Sequence, residues 1–81
     1  VFPNPVVDYS VIGLNLPDSF SGTISVAIFD RSGKFVKEFE NEYTRGGLQE
    51  MIIPANDLLP GLYFYEVFGD GFSKTKTFIK I

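Results

Sequence analysis

Few side chains in this sequence could do chemistry, and their spacing suits it poorly. Glu38, Glu40 and Glu42 are the densest carboxylates. At a period of two they share one face of a strand. Paired carboxylates do acid–base work only where a cleft gives them unequal environments. On a half-exposed strand the pattern favours a solvated face. Ser73-Lys74 is an adjacent serine–lysine pair, and neighbours on a strand point to opposite faces, so this lysine is badly placed to activate this hydroxyl. Asp30 and Asp70 sit in turn-like sequences that contain glycine. A Ca²⁺ ion there would need several more oxygens to converge, whereas Asp in such turns commonly bonds its own backbone. The chain has no His and no Cys. That removes the commonest general base, thiolate metal sites, cysteine nucleophiles and disulfides. With no G-x-S-x-G elbow either, the expectation is no catalytic centre, no metal and no cofactor.

What remains is a question of architecture. A chain of 81 residues is one domain, spanning 1–81, and buries only roughly 60% of the surface its unfolded form exposes. Small domains need a staple or dense apolar packing. Without Cys the packing must suffice, and nine Phe and four Tyr supply it. The net charge is −3, with seven Lys and Arg spread along the chain, which argues against phosphate neutralisation and hence nucleic-acid binding. No apolar run approaches ~18 residues, so no membrane helix is expected. Val1-Phe2-Pro3-Asn4-Pro5 has neither the basic start nor the apolar middle of a signal peptide.

The stretch from Asp57 to Val67 organises the rest. Leu58-Leu59-Pro60-Gly61 reads as a turn, because Pro60 restricts φ and Gly61 accepts positive φ. It feeds a strand in which Tyr63, Tyr65 and Val67 share one face. Tyr63 is placed to close the corner, its ring in the core and its hydroxyl on a backbone group of Asp57 or Leu58, as in the tyrosine corner of immunoglobulin-like sandwiches.

The other strands follow from alternation. Asp8 to Leu16 should turn Ser10, Ile12, Leu14 and Leu16 to one side, with Ile12, Leu14 and Leu16 facing the core. Thr23 to Phe29 puts Ile24, Val26 and Ile28 on one face. Asp30-Arg31-Ser32-Gly33 suits a type I turn with Gly33 left-handed. Lys34 to Tyr43 returns out of phase, since Val36 and Phe39 lie three apart. Either a bulge falls near Lys37-Glu38, or one of the two is exposed. Leu48 to Ile53 directs Met51 and Ile53 inward. Asp70-Gly71 favours a type I′ hairpin, and Ser73 to Ile81 closes the chain. About seven strands with no helical period call for an all-β, immunoglobulin-like antiparallel β-sandwich with Greek-key connections.

Two surpluses stand out. Phe20, Phe29, Phe35, Phe64, Phe68 and Phe72 exceed what one inward face per strand can hold. Either they fill the ends of a small sandwich, or some form a binding surface. On the last strand Lys74, Lys76, Phe78 and Lys80 share a face. They are edge protection or part of a recognised surface.

Four segments together resemble one family: Phe2-Pro3-Asn4-Pro5; Ala27 to Val36, with its Asp30-x-x-Gly33-Lys34 hairpin; Leu58 to Val67, with Leu-x-x-Gly-x-Tyr; and Lys76-Thr77-Phe78-Ile79-Lys80-Ile81. The chain is similar to the type A C-terminal sorting domains of the bacterial type IX secretion system over nearly its whole length. Asp8-Tyr9-Ser10 departs from the small polar residues usual there. The resemblance implies an immunoglobulin-like domain at the C-terminus of a larger exported precursor, which reaches the periplasm by its own N-terminal signal. The translocon and its outer-membrane shuttle and sortase proteins would be the partners. A surface sortase would remove the domain and leave cargo at the cell surface or outside. Carried over by position, the motif residues are Pro3, Asn4, Pro5, Asp30, Gly33, Lys34, Leu58, Gly61, Tyr63, Lys76, Phe78, Ile79 and Lys80. On this reading the last strand, Thr75 to Ile81, docks with exposed Phe side chains, and exposed strand edges offer pairing between two copies. The same strand pattern also suits a fibronectin-III-like accessory module of a secreted hydrolase, a spacer or a glycan binder. Whether Ile81 ends the precursor's reading frame would separate the two.

Overall fold

Period-two alternation becomes six strands in the computed structural model, which describes residues 4–81. They are β1 (Tyr9–Leu16), β2 (Gly22–Asp30), β3 (Phe35–Tyr43), β4 (Gly47–Pro54), β5 (Gly61–Gly69) and β6 (Phe72–Lys80). No helix occurs among the described residues. The strands form two antiparallel sheets, one of β1 and β4, the other ordered β3-β2-β5-β6. Their inner faces meet in one core.

That core is the inward half of each alternating run. Ser10, Ile12, Leu14 and Leu16 are buried from β1, and Ile24, Val26 and Ile28 from β2. Met51, Ile53, Tyr63, Tyr65, Val67 and Phe78 complete it, with Val6, Ala55 and Leu58 from the connections. A fully buried aliphatic or Phe side chain contributes about 1.5–3 kcal/mol, so this packing can stand in for a disulfide. Phe20 and Phe72 lie partly buried against the core, filling out one end of the sandwich.

Three local expectations need correction. The strands are six among the described residues, because the opening segment makes only an isolated parallel bridge, Val6 to Lys80. The larger sheet is two hairpins side by side, β2-β3 and β5-β6, and the chain crosses to the smaller sheet for β1 and β4. The bulge lies at Val36, since Ile28 pairs with Lys37 and Phe29 with Phe35. It sits one position before the expected place, beside the tight turn. Val36 is also exposed, while Phe39 packs on the core. Finally, Gly71 has φ +89°, and among the described residues none other than glycine has positive φ. The Asp70-Gly71 loop is therefore not type I′, which needs both central residues left-handed.

Gly46 has a separate reason to be glycine. A Cβ there would overlap the carbonyl of Pro17, so the β3–β4 and β1–β2 connections touch backbone to backbone.

Candidate recognition surface

The motif residues are scattered along the chain, yet strand register gathers most of them at one end of the larger sheet. Asp30 pairs with Tyr63 and Tyr63 with Phe78, one row across β2, β5 and β6. Gly61 pairs with Lys80 just beyond. The opening segment lies against the same end. Val6 donates to the Ile79 carbonyl at 2.6 Å and accepts from the Ile81 amide at 2.9 Å. The Asn4 side-chain oxygen accepts the Ile79 amide at 3.0 Å. The Asn4–Pro5 peptide is cis. Pro3 lies outside the described residues.

The corner closes as expected in kind, with a different acceptor. The Tyr63 hydroxyl donates to the carbonyl of Leu59 at 2.6 Å, not to Asp57 or Leu58. Leu58 is buried, its amide bonded to the Ala55 carbonyl. Asp57 instead bonds the Lys37 ammonium at 2.8 Å. That contact holds its carboxyl below the usual range, through the Lys37 hydrogen bond first.

The β2–β3 hairpin is tied by one carboxylate. Asp30 Oδ1 accepts from the Ser32 hydroxyl at 2.6 Å, the Ser32 amide at 2.9 Å and the Lys34 amide at 3.0 Å. These donors, led by the Ser32 hydroxyl, keep the Asp30 carboxyl below its ordinary value. Gly33 takes φ +88° and donates to the Asp30 carbonyl, the left-handed turn expected. The aspartate is spent on its own backbone.

The last strand differs from its expected role. Phe78 is 1% exposed, stacked near Tyr63 and Tyr65 at centroid distances of 5.4 and 6.0 Å. It is core, so it cannot be an exposed docking side chain. Lys80 is only 9% exposed, its ammonium on the Ile81 carbonyl at 3.1 Å. Lys74 and Lys76 share that inward-pointing side but stay exposed, because the smaller sheet is too narrow to cover them. Burial raises the Tyr65 phenol above its usual range.

The outer face of the same end carries what alternation alone left open. Phe29 pairs with Phe64 and with Phe35, and Leu62 with Ile79. Phe29 and Phe35 meet edge to face at 6.0 Å. Phe35 is 55% exposed, Ile79 47% and Leu62 37%. Five apolar side chains from four strands thus form one partly exposed patch. Sequence reasoning found the Phe surplus but not its location. Cross-strand pairing places them together, and no spacing within the chain encodes that. Glu38, Glu40 and Glu42 are exposed on β3, a solvated face.

The model of one protein family, described as a secretion system C-terminal sorting domain, matches residues 1–81. No curated protein matches the chain.

Proposed function

This chain belongs to the C-terminal sorting domains of the type IX secretion system, and on that premise we propose how its surface is used. A signal of this class directs export across the outer membrane to the cell surface or beyond. Our reading is that the domain catalyses nothing. It passes through the periplasm with its cargo and is recognised by the translocon and shuttle proteins. A surface sortase then removes it.

The observation that carries this reading is the patch of Phe29, Phe35, Phe64, Leu62 and Ile79 on the end where the motif residues converge. Asp30, Tyr63, Phe78, Asn4 and Lys80 build and brace that end. Ile79 and Ile81 are the exposed apolar side chains of the terminal segment. The motif is thus mostly scaffold, and the recognised side chains lie over it. Exposed apolar area on a small domain commonly marks a binding site.

The test is a reporter bearing an inner-membrane signal, fused ahead of this chain in a bacterium with the system. The wild-type fusion should reach the surface or medium. Phe35→Ser with Ile79→Ser should stay in the periplasm while remaining folded. Secretion of that variant at the wild-type level would refute the patch. Failure of the wild-type fusion itself would favour the spacer or glycan-binding reading instead.

A further inference from the structure

Among the described residues the sandwich has four strand edges, and one is unguarded. On β3 the edge strand carries Glu38, Glu40 and Glu42 and a bulge at Val36. On β4 the Tyr43 hydroxyl occupies the Glu50 carbonyl at 2.8 Å, and Pro54 has no amide hydrogen. On β6 Asn4 and Val6 occupy Ile79 and Ile81, and Lys74 and Lys76 flank the rest. Such features discourage strand addition. β1, Tyr-Ser-Val-Ile-Gly-Leu-Asn-Leu, has no charge and no proline.

The direction of its free groups follows from one bond. The Ala55 amide donates to the Asp8 carbonyl at 2.8 Å, so Asp8 belongs to the set facing β4. By the alternation of an antiparallel ladder, Ser10, Ile12, Leu14 and Leu16 also face β4. Tyr9, Val11, Gly13 and Asn15 turn their backbone groups to the open side. Gly13 stands mid-strand, where glycine weakens pairing and often marks the close approach of another backbone. No contact among the described residues requires it, since a Cβ there would meet no atom within 4 Å.

Beside that edge runs a seam between β1 and β6. Two depressions of about 330 and 80 Å³ share Lys74 in their walls. Leu16, Phe20 and Phe72 line the larger, and Ile12, Tyr65 and Lys76 the smaller. A strand added to β1 would lie over this seam, with alternate side chains directed at β6. Lys74 and Lys76 are two residues apart, matching the same-face period of such a strand.

We propose that this seam is a docking slot for an extended segment of another protein that carries carboxylates at alternate positions. The segment adds to β1 as a third strand of the smaller sheet and sets its acidic side chains against Lys74 and Lys76. The backbone contributes strand pairing and the lysines select the sequence. The domain's net charge is −3, so the attraction is local and fades beyond a Debye length of about 10 Å at 0.1 M salt. This inference does not depend on the sorting role.

The probe is a short fluorescent peptide alternating Glu and Val, titrated with the protein at low salt and compared with one alternating Lys and Val. The Glu peptide should bind about tenfold or more tightly than the Lys peptide, and added salt should narrow the gap. Lys74→Glu with Lys76→Glu should reverse the preference. N-methylation of alternate peptide amides should abolish binding without altering the protein. Amide exchange at Val11, Gly13 and Asn15 should slow when the Glu peptide is bound. Equal binding of the two peptides, or binding that leaves those amides unprotected, would overturn the proposal. So would slow exchange there without peptide together with a dimer in sedimentation velocity, which would make a second copy the occupant.

Discussion

The Tyr63 hydroxyl reaches back four residues to the Leu59 carbonyl at 2.6 Å, while its ring lies 5.4 Å from that of Phe78. One side chain therefore fastens the turn that enters β5 and fills the core beneath β6. Tyr63→Phe keeps the ring and removes the bond. Urea denaturation should show a loss of about 0.5–1.5 kcal/mol. Tyr63→Ala should cost several-fold more, about 3–5 kcal/mol, as the cavity is added.

Phe78 and Ile79 are adjacent and should behave oppositely. Phe78→Ala empties a core position and should cost about 3–5 kcal/mol in chemical denaturation. Ile79→Ser changes an exposed residue and should shift stability by about 0.5 kcal/mol or less, yet lower export of a fused reporter. Equal stability of the two variants would contradict the burial described above.

Asn4 joins the start of the domain to its last strand, accepting the Ile79 amide 75 positions away in sequence. Asn4→Ala should cost about 1 kcal/mol. Native-state hydrogen exchange should locate the loss, with the Ile79 amide exchanging faster and the β2 amides of Ile24 and Val26 unchanged.

Acid should loosen the β2–β3 hairpin through Asp30. Its carboxyl titrates below the ordinary value because the Ser32 hydroxyl and the Lys34 and Ser32 amides bond the ionised form. A lowered native value means the stabilisation is complete above the unfolded-state pKa. It disappears as pH falls through the native one. Asp30→Asn should flatten the acid limb of a stability–pH curve and leave the neutral-to-alkaline limb in shape.

Gly46→Ala should be disruptive although the residue is not in the core. The added Cβ would meet the Pro17 carbonyl and the backbone of Asp18, so two connections must separate. A loss of about 1–3 kcal/mol is expected. Gly13→Ala is the control, since its Cβ has open space. Thermal melting of the pair gives the comparison.

How much was legible in the sequence depends on the range of the interaction. Alternation assigned the inward faces of β1, β2, β4 and β5 correctly, because period two is a local property of an extended chain. The Asp30 turn and the Tyr63 corner were legible for the same reason, since their donors and acceptors lie within four residues. Even so, the acceptor at the corner was misplaced, because the exact carbonyl depends on how Pro60 and Gly61 swing the chain. Phe78 was assigned to the wrong environment. Lys74 and Lys76 precede it on the same face of the strand, and only packing against the rings of Tyr63 and Tyr65 decides that it is covered.

Composition and local pattern thus determined an all-strand domain without thiol or imidazole chemistry, and the segments that place it in its family. The tertiary structure alone decided which edge of the sandwich stays open and which Phe side chains share a patch. It also decided that Lys80 is buried while Lys74 and Lys76 are not. The physical reason is that burial and edge exposure depend on which strands lie opposite one another. That pairing joins residues far apart in the chain, and no short stretch of sequence records it.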